Sequence, residues 1–266
     1  MPGGRCAAAV RARGVAAAYG DRVALAASDL EVPAGRLAAV IGPNGSGKTT
    51  LLHLVAGILP ALEGELEVLG EAPRGGSRRV AYVLQSTQVS AFLPITVLEA
   101  VRMGRYAHRG LTGRFTDEDH EAVRSALERL GAAHLARRHL GTLSGGQRQR
   151  VFVAQGLAQQ APLVLLDEPT TGLDVVSREH IADAIAAERE RGTTLIVTTH
   201  DLAEARAADW VVVVAGRVVA AGPPEDVCTP DVLELAYGAR FVVADGRSIL
   251  VDDAHHDVAA PGGEAP

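Results

Sequence analysis

The chain is expected to be an α/β protein with a parallel sheet, and three observations lead there. The apolar run Leu37–Ile41 passes into Gly42-Pro43-Asn44-Gly45-Ser46-Gly47-Lys48-Thr49-Thr50 and then into the helical pattern of residues 51–56, a succession of strand, glycine-rich loop and helix. The run Leu163–Leu166 is apolar throughout, as a strand covered on both faces must be, and residues 195–199 repeat it. Each of these runs ends abruptly in polar residues, Asp167-Glu168 in one case and His200 in the other. At the carboxyl edge of an open parallel sheet such residues converge on one crevice.

Taken in order, residues 1–13 are rich in Gly, Ala and Arg without a clear period, so a flexible N-terminus is expected, with order beginning near Gly14. Residues 15–21 and 23–32 read as strands around a Gly-Asp turn, and Pro33-Ala34-Gly35 turns the chain into the phosphate-loop strand. Residues 57–64 form a loop, 65–69 a short strand, and 79–84 a strand closed by the polar Gln85. From 86 to about 148 the pattern is helical, with helices at 96–103 and 116–130, the second opening on Asp117-Glu118-Asp119 as suits a helix N-terminus. Residues 201–207 are helical, 210–215 and 217–221 make a hairpin around Gly216, and Pro223-Pro224 opens a helical part reaching Tyr237. A last hairpin at 241–252 and a polar tail make up a C-terminal extension, 241–266.

The chain has 266 residues, 47% of them hydrophobic, enough for a sizeable core, and a net charge of −6. Its arginines are dispersed among carboxylates, which argues against nucleic acid as a partner. No run reaches the roughly 20 apolar residues of a membrane span, and the first residues lack the apolar core of a signal peptide. Cys6 and Cys228 stand far apart with no paired spacing, as in a reducing compartment. His108, His120, His134 and His139 match no metal-ligand spacing, and His255-His256 lie in the tail.

Chemistry concentrates in two places. The glycines of the loop let successive backbone N–H groups face an anion, the following helix adds its positive end, Lys48 is placed to reach the outer phosphates and Thr49 to bind Mg²⁺. Lys48 is the only lysine of the chain; every other basic side chain apart from histidine is arginine. A slim point charge is what the space between phosphates admits. The second place is Leu143-Ser144-Gly145-Gly146-Gln147, where Ser144 and Gln147 have capping-box spacing. The box leaves the two glycines unexplained, since each costs a helix about 1 kcal/mol against alanine. Something is expected to approach this helix end closely.

Together these residues resemble the ATP-binding subunit of an ABC transporter, over roughly residues 15–227. Residues 42–49 look like the Walker A loop, 163–167 like Walker B followed by Glu168, 143–147 like the signature sequence, Gln85 like the Q-loop, Gly172-Leu173-Asp174 like the D-loop and His200 like the switch histidine. The resemblance implies a P-loop NTPase (RecA-like) core, an antiparallel β subdomain and a helical insertion subdomain, within an ATPase domain of 14–240. It implies ATP stacked on Tyr19, which by itself reads as an ordinary half-buried tyrosine. It also implies Mg²⁺ held by Thr49, Gln85 and Asp167, Glu168 as the general base, and His200 at the γ-phosphate. ATP would be shared head to tail with a second copy that supplies Ser144, Gly145, Gly146 and Gln147, with Asp174 nearby. A separate membrane permease and an extracytoplasmic substrate-binding protein would complete an importer, with this chain on the cytoplasmic face. Residues 93–108, and Met103-Gly104-Arg105-Tyr106 within them, look most like manganese and zinc importers, although Leu84 stands where those have proline. A siderophore, haem or cobalamin importer is the alternative, and a soluble ATPase outside transport is opposed by the single phosphate loop.

Overall fold

The computed structural model describes residues 8–84, 94–110 and 113–238, together with the backbone of 241–244 and 247–250. Its centre is a six-stranded sheet. In chain order the elements of the first half are β1 (Ala8–Tyr19), β2 (Arg22–Pro33), β3 (Leu37–Ile41), α1 (Lys48–Val55), β4 (Glu63–Val68), β5 (Val80–Val83), α2 (Val97–Met103), α3 (Tyr106–Arg109) and α4 (Asp117–Arg129). The second half runs α5 (Gly145–Ala158), β6 (Leu163–Leu166), α6 (Val175–Glu190), β7 (Thr194–Thr198), α7 (Leu202–Ala207), β8 (Trp210–Val214), β9 (Val218–Gly222), α8 (Pro224–Val227), α9 (Pro230–Tyr237), β10 (Phe241–Ala244) and β11 (Arg247–Leu250).

The main sheet has the order β5-β6-β7-β3-β8-β9, parallel except for β9, and a second, antiparallel sheet has the order β2-β1-β4. Every residue of β6 and β7 is buried, as their unbroken apolar pattern requires for strands with helices on both faces. One hydrophobic cluster lies between the two sheets and α1, through Leu25, Leu52, Leu54 and Val212. A second fills the helical insertion through Val97, Val123, Leu130 and Val151 and reaches the sheet at Val164 and Leu195.

One boundary differs from expectation. The N-terminal strand begins at Ala8 rather than near Gly14, so residues 8–13 are not a frayed start. Val10, Ala12 and their neighbours pair with both β2 and β4, and Arg11 faces outward between Glu31 and Glu67. Alternation is there, but small alanines supply too little contrast for it to stand out.

Three helices here, α2, α4 and α5, start on a side-chain cap, whereas α3 does not. Thr96 and Glu99 form a capping box on α2, Thr116 and Asp119 on α4, and Ser144 and Gln147 on α5. The insertion is then fastened to the far end of α5 by a buried charge cluster. Arg105 Nε donates to Asp119 Oδ1 at 2.8 Å and its Nη1 to the Ala158 carbonyl at 3.0 Å and Gln160 Oε1 at 2.9 Å. Arg109 Nε donates to the other Asp119 oxygen at 2.7 Å, and His108 Nε2 bonds the Gln159 carbonyl at 2.7 Å. Burial pushes the Asp119 carboxyl up, but the Thr116 amide and the two guanidinium groups outweigh it and hold the group well below the usual carboxylate range. Among the described residues no helix is long and apolar enough to cross a membrane.

Candidate nucleotide site

The order β6-β7-β3 sets the ends of three parallel strands side by side, with β7 in the middle. Val40 pairs with Thr198 and Leu166 with Val197, so Gly42, Thr198 and Asp167 emerge at one edge. The phosphate loop turns there. Gly42, Gly45 and Gly47 all have positive φ, and a Cβ on Gly42 would lie 2.0 Å from the Val214 carbonyl oxygen. Neither a side chain nor another backbone fits that position. Ser46 N donates to the Pro43 carbonyl at 3.1 Å and closes the turn, while Asn44 and Gly45 are exposed at its tip. Gly216 N reaches the Ser46 carbonyl at 2.8 Å and fixes the loop against the β8–β9 turn.

Lys48 is buried in this turn, and its Nζ donates to the carbonyls of Gly42 at 2.8 Å and Pro43 at 3.1 Å. Thr50, also buried, anchors the first turn of α1, whereas Thr49 faces out, its Oγ1 donating to Asp167 Oδ2 at 2.8 Å. Asp167 is 2% exposed and both of its oxygens accept: Thr198 Oγ1 donates to Oδ1 at 2.6 Å, and Tyr82 adds a longer bond to Oδ2 at 3.3 Å. Burial, then the Asp167 charge, pushes the Tyr82 hydroxyl far above its ordinary value. The same Thr198 hydroxyl accepts from the Glu168 amide at 2.7 Å. Glu168 has a φ of 46°, a left-handed conformation that a side chain rarely adopts and that here turns the chain sharply off the strand. His200, exposed just beyond β7, lies with Nδ1 3.5 Å from Thr171 Oγ1.

Tyr19 closes the other side. It is half exposed, and its hydroxyl is held 2.8 Å from Nδ1 of His53, one turn along α1 from the phosphate loop. The His53 ring in turn meets the Tyr82 ring edge-on with centroids 5.7 Å apart. A half-exposed ring fixed at its polar end agrees with a half-buried tyrosine and leaves one face open to solvent.

The site fits a nucleotide triphosphate and Mg²⁺ on its own chemistry. Three glycines at positive φ and the Lys48 ammonium at the base of the turn supply the backbone amides and the positive charge that phosphate oxygens take. The Thr49 hydroxyl and Asp167 carboxylate are hard oxygen donors, the type Mg²⁺ takes. Gln85 lies outside the described residues.

The signature residues sit apart, at the N-terminus of α5. Ser144 and Gly145 are exposed, and Ser144 Oγ accepts from the Gln147 amide at 3.2 Å while Gln147 Oε1 accepts from the Ser144 amide at 3.2 Å. The two glycines have different reasons. A Cβ on Gly146 would lie 2.5 Å from Ser177 Oγ and 2.6 Å from Asp174 Oδ2, so that glycine is required by packing against the start of α6 within the same chain. Among the described residues, a Cβ on Gly145 would meet nothing within 4 Å. Asp174 caps α6, accepting from the Ser177 amide at 2.9 Å and its hydroxyl at 2.8 Å, and these bonds hold its carboxyl below the usual range. Sequence reasoning did not single out Thr198, Tyr82 or His53. Thr198 had a signal, a hydroxyl closing the apolar run of residues 195–197.

A buried lysine in a glycine turn, with a carboxylate and a threonine hydroxyl opposite at the edge of a parallel sheet, defines a P-loop nucleotide hydrolase. The pattern of the ABC transporter family matches residues 25–171. The manganese transport ATP-binding protein MntB of Bacillus subtilis is 37% identical over 240 residues, covering 88% of this chain and 96% of that protein. The zinc transport ATP-binding protein TroB of Treponema pallidum is 38% identical, covering 88% of each. The ferric enterobactin transport ATP-binding protein FepC of Escherichia coli is 37% identical, covering 85% and 86%. An ATP-binding cassette of an ABC transporter, solved in its ADP conformation, superposes with a TM-score of 0.73 at 25% identity over 87% of this chain and 99% of that one. The chain belongs to the ABC transporter family and is an ATP-binding, ATP-hydrolysing subunit of that family.

Proposed function

We propose that the chain powers a metal-ion importer by hydrolysing ATP as a head-to-tail pair docked on a separate membrane permease, at the cytoplasmic face. The observation that supports the catalytic part best is the shared Thr198 hydroxyl, which ties the Asp167 carboxylate to the amide of Glu168 and so fixes that carboxylate and the backbone of Glu168 next to the phosphate loop. Thr49 and Asp167, with Gln85, would hold Mg²⁺, which when bound neutralises charge on the outer phosphates. Lys48 and the loop amides hold the phosphates, and Tyr19 offers a ring face to the base. Glu168 takes the proton of the attacking water, and His200 contacts the γ-phosphate. Catalysis of this kind is positioning and charge stabilisation, so a site lacking any of these groups turns over poorly.

Pairing follows from what a single chain leaves unused. Ser144 and Gly145 form an exposed helix start with open space over Gly145, suited to a phosphate bound on a second copy. The permease fits the groove between the helical insertion and the end of β5, lined by Leu84, Met103, Gly104, Phe152 and Gln155, where Leu84 and Met103 are exposed.

Divalent metal as the substrate rests on the manganese and zinc relatives and on the likeness of residues 93–108 to those importers. The ferric enterobactin relative, equally similar, supports a metal chelate as the second reading. Elemental mass spectrometry on cells lacking the chain, complemented with wild type or Glu168→Gln, separates them. Loss of manganese or zinc restored only by wild type is the expected result. Unchanged divalent metals, with iron falling only when a chelate is its sole source, would replace the metal reading with the chelate one. In the purified protein Glu168→Gln should bind ATP normally and turn over roughly 10²-fold more slowly if Glu168 is the base.

A further inference from the structure

Two loops carry the groups that act at the γ-phosphate, one following β6 with Glu168 and one following β7 with His200. A side chain outside both loops holds them together. Glu204, on α7, accepts from Thr199 Oγ1 through Oε2 at 2.6 Å and from Thr170 Oγ1 through Oε1 at 3.3 Å. Thr199 is the residue before His200 and is 4% exposed; Thr170 is two residues after Glu168. The Thr199 hydroxyl also accepts from the Asp201 amide at 3.0 Å, so its orientation is set at both ends. One carboxylate, with one oxygen given to each loop, thereby spans the two strands' ends. Its helix is seated independently, with Leu202 and Ala205 in the cluster that also holds Val211 and Leu233.

We propose that Glu204 is a positioning residue for hydrolysis, a brace that fixes the separation of Glu168 and His200. The inference rests on the roles given to those two residues above. Two direct ties between the loops are the bond of the Glu168 amide to Thr198 at 2.7 Å and the 3.5 Å approach of Thr171 to His200. The first fixes the start of its loop, but the second is at the limit of hydrogen bonding and leaves His200 to be steadied through Thr199. Without the brace Glu168 keeps its place and His200 gains freedom. Misplacement of a catalytic group by about 1 Å costs up to about 10²-fold in rate.

The test compares Glu204→Ala, Glu204→Gln, Thr170→Val and the Glu204→Ala/Thr170→Val double variant of the full chain, with Glu168→Gln alongside, for turnover at saturating ATP, ATP affinity and melting temperature. Glu204→Ala should lower turnover about 10-fold or more with ATP affinity changed less than twofold, since the two bonds it removes go to Thr170 and Thr199, in the loops after β6 and β7. Glu204→Gln, whose amide can still bond both hydroxyls, should keep turnover within about threefold. Thr170→Val should lower turnover with little effect on melting, and the double variant should be no slower than Glu204→Ala, because both changes remove the same link. Turnover of Glu204→Ala within twofold of wild type, equal losses in Glu204→Gln and Glu204→Ala, or additive losses in the double variant would each overturn the brace. A Glu204→Ala chain that does not fold leaves the decision to Glu204→Gln and Thr170→Val, where unchanged Thr170→Val turnover overturns it. Wild-type turnover in Glu168→Gln would instead remove the catalytic reading beneath it.

Discussion

The buried cluster at Asp119 gives the most direct measure of what fastens the helical insertion. Asp119→Asn keeps the shape and removes the charge. In the native chain the carboxylate accepts from Arg105, Arg109, the Thr116 amide and the Thr116 hydroxyl, and it is fully buried. Asparagine has one acceptor oxygen, so at least one donor loses its partner, and Arg105, 3% exposed, is left without its counter-ion. Breaking a buried pair from one side costs about 3–5 kcal/mol. Arg105 retains the Ala158 carbonyl and Gln160, which favours the lower end, about 3 kcal/mol. At the entropy of unfolding typical of a chain this size that is a drop in Tm of about 5 °C.

Urea unfolding of wild type and Asp119→Asn at pH 7 measures the difference, and a loss below about 1 kcal/mol would refute the assignment of a charge-dependent staple. The folded carboxyl titrates below its unfolded value, so its contribution is full above the unfolded pKa of about 3.9 and is lost as pH falls further toward the folded value. The gap between wild type and Asp119→Asn should therefore close in acid. Replacing the pair by apolar groups, Arg105→Met with Asp119→Leu, should recover most of the loss.

The two signature glycines should behave oppositely. Gly146→Ala brings a Cβ to 2.5 Å from Ser177 Oγ and should destabilise the fold by about 1–3 kcal/mol in denaturant unfolding. Gly145→Ala meets open space and should stabilise the chain by up to about 1 kcal/mol, yet weaken ATP-dependent pairing of Glu168→Gln chains seen by gel filtration. Tyr19→Ala should reduce ATP affinity about 10-fold in a fluorescent-nucleotide titration, the scale of one base–aromatic stack, while Tyr19→Phe, which keeps the ring and loses only the bond to His53, should reduce it less than threefold.

The inner strands β3, β6 and β7 were legible because burial on both faces leaves their interiors apolar, and the residues that follow each run are those that form the site. Other parts left weaker traces. The 16-residue α6 was not read from its sequence. Only Ser177, Ile181 and Ala184 of it are buried, a stripe too narrow and too small in volume to stand out from an arginine- and glutamate-rich segment. The brace at Glu204 was equally hidden, since its partners are threonines, and threonine in or beside a strand reads as a β-branched residue chosen for packing. Met103-Gly104-Arg105-Tyr106 shows the converse, a stretch legible for another reason. It was read as a mark of substrate class, and its arginine is found in the interior, holding α4 to the end of α5.

The same helix explains why the signature could be recognised and yet not located from sequence. The capping box accounts for Ser144 and Gln147 in any helix, so the informative residues are the glycines, and they divide the helix start between two surfaces. Gly146 turns toward Asp174 and Ser177, packing the signature against the start of α6. Gly145 and Ser144 turn outward. The phosphate loop meanwhile draws Thr49 to Asp167 and Lys48 to its own carbonyls, and so has its partners within itself, just past β6 and at the β8–β9 turn. An α5 whose exposed end is held by α6 and whose far end is clamped by Arg105 has little freedom to swing toward that loop. In the proposed head-to-tail pair the signature meets the phosphate bound on a second chain, and Gly145→Ala is the substitution that tests this, because it adds bulk to the outward face.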